Sequence, residues 1–597
     1  MKRRTLLSIF LFLFISQQNN IAQLVNESNF EDSEVYFTGY YLNPFGLSSF
    51  KDIALGKIND PYLRMVINPA LIPDLGDKTF SFYFDLRGDR TPSEEYNYYP
   101  PVPLMFGSSY LPTPVYNHSI NRYEPQPLLS AGFIFNPSDF LNKNFYAAAT
   151  YQIIRRDGSN YGSDYPVMYM NESVPAPGAG QTSIPVFPEY YGYYGSEDIF
   201  TEAHMFSLHS GYRLSDKFSL GVGANIVNYE KTNNQINSDD YGYFQEVPGY
   251  ISNNVREKIS DYSHFDFNGG INYSLSMSSS IGLKAGYLFG DISQINYNER
   301  IYDYSYYYNS SERDTNIGYS LIDQNWTRDG KSFYTGLNFD HKIDDVKGVT
   351  AYYIFTKSNI DLSSSSSIMD TSFYSYRWYD SFPDNEYEYF GRSFLSEEKN
   401  STGTKETIKH EVSVTFKWDF SPSASLITGI FYKNKNDKIN SKEPIELKMN
   451  SYYRERNYEN ADSENYFETY EKGDLTWNSE VSFWTMQVPV FFRVVFDEYL
   501  GMLIGINKVL NTWKISEDVT KFVDYRYKNE NGIIEEKRGQ IEKFRQPVRK
   551  ITDDDTKVVL GFEINFSESL RNRIMFEPEF DPELRIAQWW LSFSANL

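Results

Sequence analysis

The stretch R-L-S-D-K-F-S-L-G-V-G-A-N-I-V-N-Y, residues 213–229, decides the fold. Phe218, Leu220, Val222, Ala224 and Ile226 recur at every second position, and Gly221, Gly223 and Asn225 fall between them. A period of two belongs to a β-strand with different surroundings on its two faces. The four residues L-S-D-K at 214–217 form a tight connection to another strand-like segment at 202–213. Working outward, the same pattern returns along the chain. In 79–87, Phe80, Phe82, Phe84 and Leu86 oppose Ser81, Tyr83, Asp85 and Arg87. In 407–419, Val412, Val414, Phe416 and Trp418 oppose Glu411, Ser413, Thr415 and Lys417. Ile427 and Phe431 blur the alternation in 424–434, and adjacent Tyr352 and Tyr353 blur it in 347–358.

Sixteen such segments are predicted: 79–87, 128–136, 144–154, 202–213, 217–229, 262–274, 279–291, 331–341, 347–358, 407–419, 424–434, 482–494, 500–511, 556–566, 571–579 and 587–597. Fourteen remains open, because one hairpin is easily misread. Their lengths suit the ~9–11 residues with which a tilted strand crosses the hydrocarbon layer. Short connections such as S-M-S-S-S at 276–280, F-S-P-S-A at 420–424 and D-E-Y-L at 497–500 alternate with long stretches near 230–261, 292–330, 359–406, 435–481 and 512–555. An up-and-down barrel puts alternate connections on opposite sides, and outer-membrane barrels have short periplasmic turns and long extracellular loops. The fold class is therefore all-β: an antiparallel transmembrane β-barrel over 79–597, in the outer membrane of a Gram-negative cell envelope.

The start of the chain fits this destination. Lys2, Arg3 and Arg4 precede an apolar run from Leu6 to Ile15, with a cleavage point after Ala22. Residues 1–22 read as a signal peptide, since the run is too short to span a bilayer. Residues 23–78 are broken by Gly and Pro and read as a plug-like or periplasmic segment. The chain has no cysteine, so neither a lipid anchor on cysteine nor a disulfide framework is expected. Its 52 Tyr and 45 Phe favour half-buried extended structure. A net charge of −23 speaks against nucleic acid as a partner.

No catalytic constellation stands out, and the chain is not expected to be an enzyme. His204, His209, His264, His341 and His410 are scattered, without metal-ligand spacing. Ser207 and His209 share a strand face, a spacing common by chance. No metal or other cofactor is expected. The acidic patches at Asp239-Asp240, Glu397-Glu398, Glu535-Glu536 and 553–555 read as solvated surface. The tyrosine-rich stretches at 94–100, 188–195 and 301–310 read as packing residues or an interfacial belt rather than a ligand site.

The terminal segment A-Q-W-W-L-S-F-S-A-N-L puts Trp589, Leu591, Phe593 and Leu597 on one face. It resembles the insertion strand read by the barrel-assembly machinery, with Leu597 where an aromatic is usual. The stretch R-M-V-I-N-P-A-L-I-P-D-L-G-D-K-T-F-S-F-Y-F, 64–84, resembles the start of the fatty-acid-transporter superfamily of outer-membrane barrels, with Asn68, Pro69 and Ala70 matching its N-P-A element. That resemblance implies a plug inside the barrel and lateral passage of hydrophobic compounds. Such barrels usually have fourteen strands. The stretch M-Q-V-P-V-F-F-R-V-V-F, 486–496, resembles a strand of Bacteroidota outer-membrane proteins. Pro489, which lacks a backbone donor, is expected to mark a bulge, a strand margin or a lateral gap. The expected function is passive transport of a small, hydrophobic solute, unidentified here, by a porin-like barrel in contact with outer-membrane lipid. The alternatives are a surface, secretion or assembly barrel acting through its loops, and a soluble exported β-protein.

Overall fold

The computed structural model of the chain describes residues 65, 67–75, 80–89, 129–136, 144–159, 169–171, 189–243, 247–309, 312–379, 386–457, 460–529, 532–545, 548–567, 569–580 and 584–596. Residues 1–22, read as a signal peptide, Leu597 and the tyrosines of 94–100 lie outside them. A 3-10 helix, Pro69–Leu75, precedes the strands. These are β1 (Phe80–Asp89), β2 (Leu129–Phe135), β3 (Phe145–Ser159), β4 (Tyr169–Asn171), β5 (Glu189–Ser215), β6 (Phe218–Tyr243), β7 (Val247–Ser276), β8 (Ser279–Asn309) and β9 (Glu312–Lys342). There follow β10 (Lys347–Tyr379), β11 (Glu386–Ser421), β12 (Ala424–Asn457), β13 (Asn460–Val495), β14 (Leu500–Asn529), β15 (Gly532–Arg545), β16 (Arg549–Asn565), β17 (Leu570–Phe580) and β18 (Leu584–Asn596).

All the pairings are antiparallel, and the sheet closes on itself. β1 pairs with β2 on one side and with β18 on the other, where Phe84 faces Phe593 and Leu86 faces Leu591. The wall contains sixteen strands, as expected. β4 and β15 are additions at its upper end: β4 is three residues against β5, and β15 pairs with the distal half of β14. Closure leaves no unpaired edge, which a spanning sheet in hydrocarbon requires.

The segments read as long connections are largely strand. β8 to β13 run for 31–36 residues and meet across gaps of two to six residues at the far end. Alternation of apolar residues ends near the middle of each strand, and the reading from sequence stopped there. The backbone ladder continues because it needs only hydrogen bonds, not an apolar face. At ~3.3 Å per residue and ~40° tilt, a 36-residue strand rises roughly 90 Å, several times the ~25 Å apolar band of a membrane barrel.

That band is visible next to the short turns. On β10 the outer face reads Val349, Ala351, Tyr353 and Phe355, then changes to Lys357, Asn359 and Asp361. On β6, Leu220, Val222 and Ile226 are exposed, as are Phe265, Phe267 and Ile271 on β7. Near its upper margin, the Tyr151 hydroxyl meets His204 Nδ1 at 2.7 Å and the Tyr353 hydroxyl meets His410 Nδ1 at 2.8 Å. The ambiguous segments resolve by burial: Tyr352, Ile427 and Phe431 face inward, and Ile430 faces outward. Side chains set the tight turns: Asp497 Oδ1 accepts from the backbone of Tyr499 and Leu500, each at 2.8 Å.

Val222 is 61% exposed in mid-band. Val222→Arg is expected to lower barrel stability by about 2–4 kcal/mol in lipid vesicles, the cost of a lipid-facing arginine near the midplane. Lys357→Ala, just above the band, should change it by under ~0.5 kcal/mol. Denaturant titration of vesicle-inserted protein measures both, and equal effects would contradict the placement of the band.

Candidate lumenal site

The N-P-A element sits inside the barrel. Asn68 is fully buried, and its amide nitrogen donates to Ile271 O on β7 (3.0 Å) and to Asn338 Oδ1 on β9 (3.1 Å), with Leu283 O on β8 at 3.4 Å. Its Oδ1 accepts from the backbone of Ala70 (3.0 Å) and so starts the 3-10 turn. The Ser219 hydroxyl donates to Ala70 O at 2.6 Å, and the Arg213 guanidinium donates to Pro73 O. Met65 and Ile72 pack with Tyr83, Ile134, Tyr146 and Ala148 on β1 to β3. Burying each large apolar side chain is worth about 1.5–3 kcal/mol and each hydrogen bond about 1 kcal/mol, so the segment is firmly seated.

Glycines make the socket. A Cβ at Gly221 would stand 2.2 Å from the carbonyl carbon of Pro69, and one at Gly270 would stand 2.0 Å from Asn68 Oδ1. Gly282 and Gly211 would meet Asn68 Nδ2 and Pro73 Cδ, both at 2.7 Å. The strand pattern showed inward glycines on β6 but not what they were for.

Beyond the socket, the inner wall of β6 to β9 holds a polar network missed from sequence. Asp266 is fully buried and accepts from Asn225 Nδ2 (2.6 Å), the Tyr334 hydroxyl (2.9 Å) and Asn268 Nδ2 (3.4 Å). Lys284 Nζ lies 5.4 Å from the centre of the Tyr334 ring. His209 and His264 face inward in the same region and are buried. Ser207 Oγ has no hydrogen-bond partner among the described residues. Ser207 and His209 therefore share a face without forming a nucleophile–base pair. No group of three potential metal ligands occurs among the described residues.

The far wall differs. On the inner face of β12 to β14 lie Ile439, Trp477, Val481, Trp513, Ile515 and Val519, all under a tenth exposed. Phe483 packs on Trp513 with ring centres 5.2 Å apart. Beside these patches, Lys435 and Asp437 on β12, 2.5 Å apart, and Lys409 and Glu411 on β11, 3.1 Å apart, form buried ion pairs. A wall of sixteen strands encloses an aqueous channel when empty. Here inward side chains are buried along the height of the wall.

Pro489 faces inward on β13. The β12–β13 ladder runs to Thr428–Val490 and resumes at Phe431–Gln487 in unchanged register. The missing proline donor thus produces a local break rather than a bulge, bridged by the Thr428 hydroxyl donating to Pro489 O at 3.0 Å. The ladder on the β14 side is intact, with Pro489 opposite Asn507. Trp589, Leu591 and Phe593 form the closing strand, and Trp589 is exposed on the outer face. Of the acidic patches, Glu397 pairs with Lys399 at 2.5 Å and Glu535 with Lys537 at 2.9 Å. The tyrosine-rich stretches 189–195 and 301–309 are strand, in β5 and β8.

These features define a closed β-barrel with a segment of its own chain wedged against the inside of one wall. Among solved structures the chain is similar to a Pseudomonas aeruginosa FadL homologue, at 10% identity over 92% of this chain and 98% of that one, with a TM-score of 0.31. It is also similar to the P. putida toluene transporter TodX, at 10% identity over 92% and 94% with a TM-score of 0.30. The Ralstonia pickettii toluene transporter TbuX is similar at 7% identity over 90% and 93%, with a TM-score of 0.27. No protein-family model and no curated protein matches the chain.

Proposed function

We propose that this chain is an outer-membrane barrel for passive transport of small, hydrophobic molecules, held shut by the segment around Asn68. The observation that carries the reading is the seated N-P-A element in its glycine socket, on the wall opposite an apolar inner strip. A plug held by hydrogen bonds to several strands closes the lumen without a covalent tie. An inner face rich in Trp, Ile and Val lowers the free energy of an apolar solute relative to water. The break at Pro489 borders that strip and supplies a weak point for lateral exit toward lipid. The reading assigns the chain no catalytic step. Its partners are lipid, the assembly machinery that inserts barrels, and the solute.

The height of the wall favours a second reading, a surface or secretion barrel working through its polar upper part. Fractionation, heat-modifiable gel mobility and liposome swelling separate the cases. Transport predicts a membrane-bound, heat-modifiable protein with little flux when intact and more when residues 24–78 are deleted. Recovery as a soluble protein overturns the barrel, and absence of flux in both forms overturns transport in favour of the second reading.

A further inference from the structure

The inner face of β3 and β5, next to the wedge, holds polar side chains that no part of the described wall satisfies. Thr150, Gln152 and Ser207 are 3%, 0% and 0% exposed. Thr150 Oγ1, Ser207 Oγ and both amide atoms of Gln152 have no hydrogen-bond partner among the described residues. Thr150 and Ser207 face each other directly in the ladder, and Gln152 lies two residues along β3 on the same side. The four atoms therefore belong to one patch. Ser207 stands opposite Asn225, where the paired network around Asp266 begins. Ser130, opposite Gln152, is engaged with the Tyr83 hydroxyl at 3.0 Å. Apolar side chains border the patch. Met205 is opposite Gln152, Val227 is opposite Met205, and Ala148 precedes Thr150 by two residues, all of them buried. Ala148 belongs to the cluster formed with Met65 and Ile72 of the wedge.

Buried hydroxyl and amide groups give up their water on folding, and they are costly when nothing replaces it. A few fixed polar points in an apolar lining are the composition of a small-molecule site. We infer that Thr150, Gln152 and Ser207 form a lumenal binding site for an uncharged molecule with a hydroxyl or carbonyl group on an apolar body. The amide offers two donors and an acceptor, and each hydroxyl offers both, so either kind of group finds a partner. Met205, Val227 and Ala148 supply no charge. Asp266, further along the rung, is already held by Asn225, Asn268 and Tyr334. An ionic group would thus be desolvated without a counter-charge. As a solute class this rests on the transport reading; as a binding site it does not.

The test uses the full chain in a neutral detergent, titrated by calorimetry with benzyl alcohol, toluene and benzoate, which share one ring. Parent and variants share the same micelle, so differences between them report the site rather than partitioning. Saturable binding of benzyl alcohol is expected, with toluene about fivefold weaker and benzoate about tenfold weaker or more. Gln152→Leu, and independently the milder Thr150→Val and Ser207→Ala, should weaken benzyl alcohol about fivefold and leave toluene unchanged. Without a probe, each should hold or raise the temperature at which the heat-modifiable band converts, because a buried group lacking a partner is gone. A fall in all three would show that these groups are engaged within the protein, and it overturns the site. So does benzyl alcohol binding that is equal in the parent and all three folded variants, or toluene binding as tightly as the alcohol. No saturable binding of any probe means that water alone serves these groups, which also overturns it. Benzoate binding as tightly as the alcohol overturns the preference for an uncharged ligand. Substitution-sensitive binding without liposome flux, even after deletion of 24–78, removes the transport reading and keeps the site.

Discussion

Gly221→Val is expected to turn a closed barrel into a conducting one. The new Cβ would lie 2.2 Å from the carbonyl carbon of Pro69 and 2.3 Å from the nitrogen of Ala70, both backbone atoms that cannot rotate away. Either the wall or the wedge must move. The wall at Gly221 is tied on both sides, to Gly211 on β5 and Gly270 on β7, while the wedge is held by a handful of hydrogen bonds and apolar contacts. The wedge is the weaker partner. Overpacking of ~1–3 kcal/mol shifts its seated population by about fivefold to a hundredfold or more. Asn68→Ala should act in the same direction without adding bulk, since it strands Asn338 and the Ala70 amide. Planar-bilayer conductance and liposome swelling measure the effect, with heat-modifiable mobility showing that the barrel is intact. If both variants stay as closed as the parent protein, the wedge is not the gate.

Asp266→Ala is expected to have the largest effect on stability of any single change in the lower wall. Asp266 accepts hydrogen bonds from Asn225, Asn268 and Tyr334, which join β6, β7 and β9 across the intervening strand. Removing it takes away an acceptor shared by three buried donors. Breaking one side of a buried charged network costs about 3–5 kcal/mol. Tyr334→Phe removes one donor and leaves the carboxylate two others, so about 1–2 kcal/mol is expected. The temperature at which the heat-modifiable band converts should fall in the order parent, Tyr334→Phe, Asp266→Ala. A conversion temperature for Asp266→Ala equal to the parent's would show that the network is incidental.

Much of the architecture was legible because period-two alternation is a local record of two environments. Phe218, Leu220, Val222, Ala224 and Ile226 need no partner strand to reveal an outer face. The same signal failed above the band, where both faces are polar, and so the upper halves of β8 to β13 and the whole of β15 went unseen. Asn68, Pro69 and Ala70 were found by resemblance, and Pro489 by its missing donor. The pair of Arg493 and Glu563 had no sequence signature: the two are 70 residues apart and meet across β14.

The sequence by itself determined the alternating face and the alternation of tight turns with long connections, and it left the strand number between fourteen and sixteen. Tertiary structure alone decided what sits inside the barrel. Asn68 and Asn338 are 270 residues apart, and the glycines that receive the wedge sit on four different strands. Which residues share a lumenal rung depends on closure and on the register of every intervening pair. Outward residues, by contrast, answer to one nonspecific solvent. The stretch at 213–229 therefore revealed its apolar outward side directly, while Gly221, on its other side, acquired a meaning only when the chain had closed around Pro69 and Ala70.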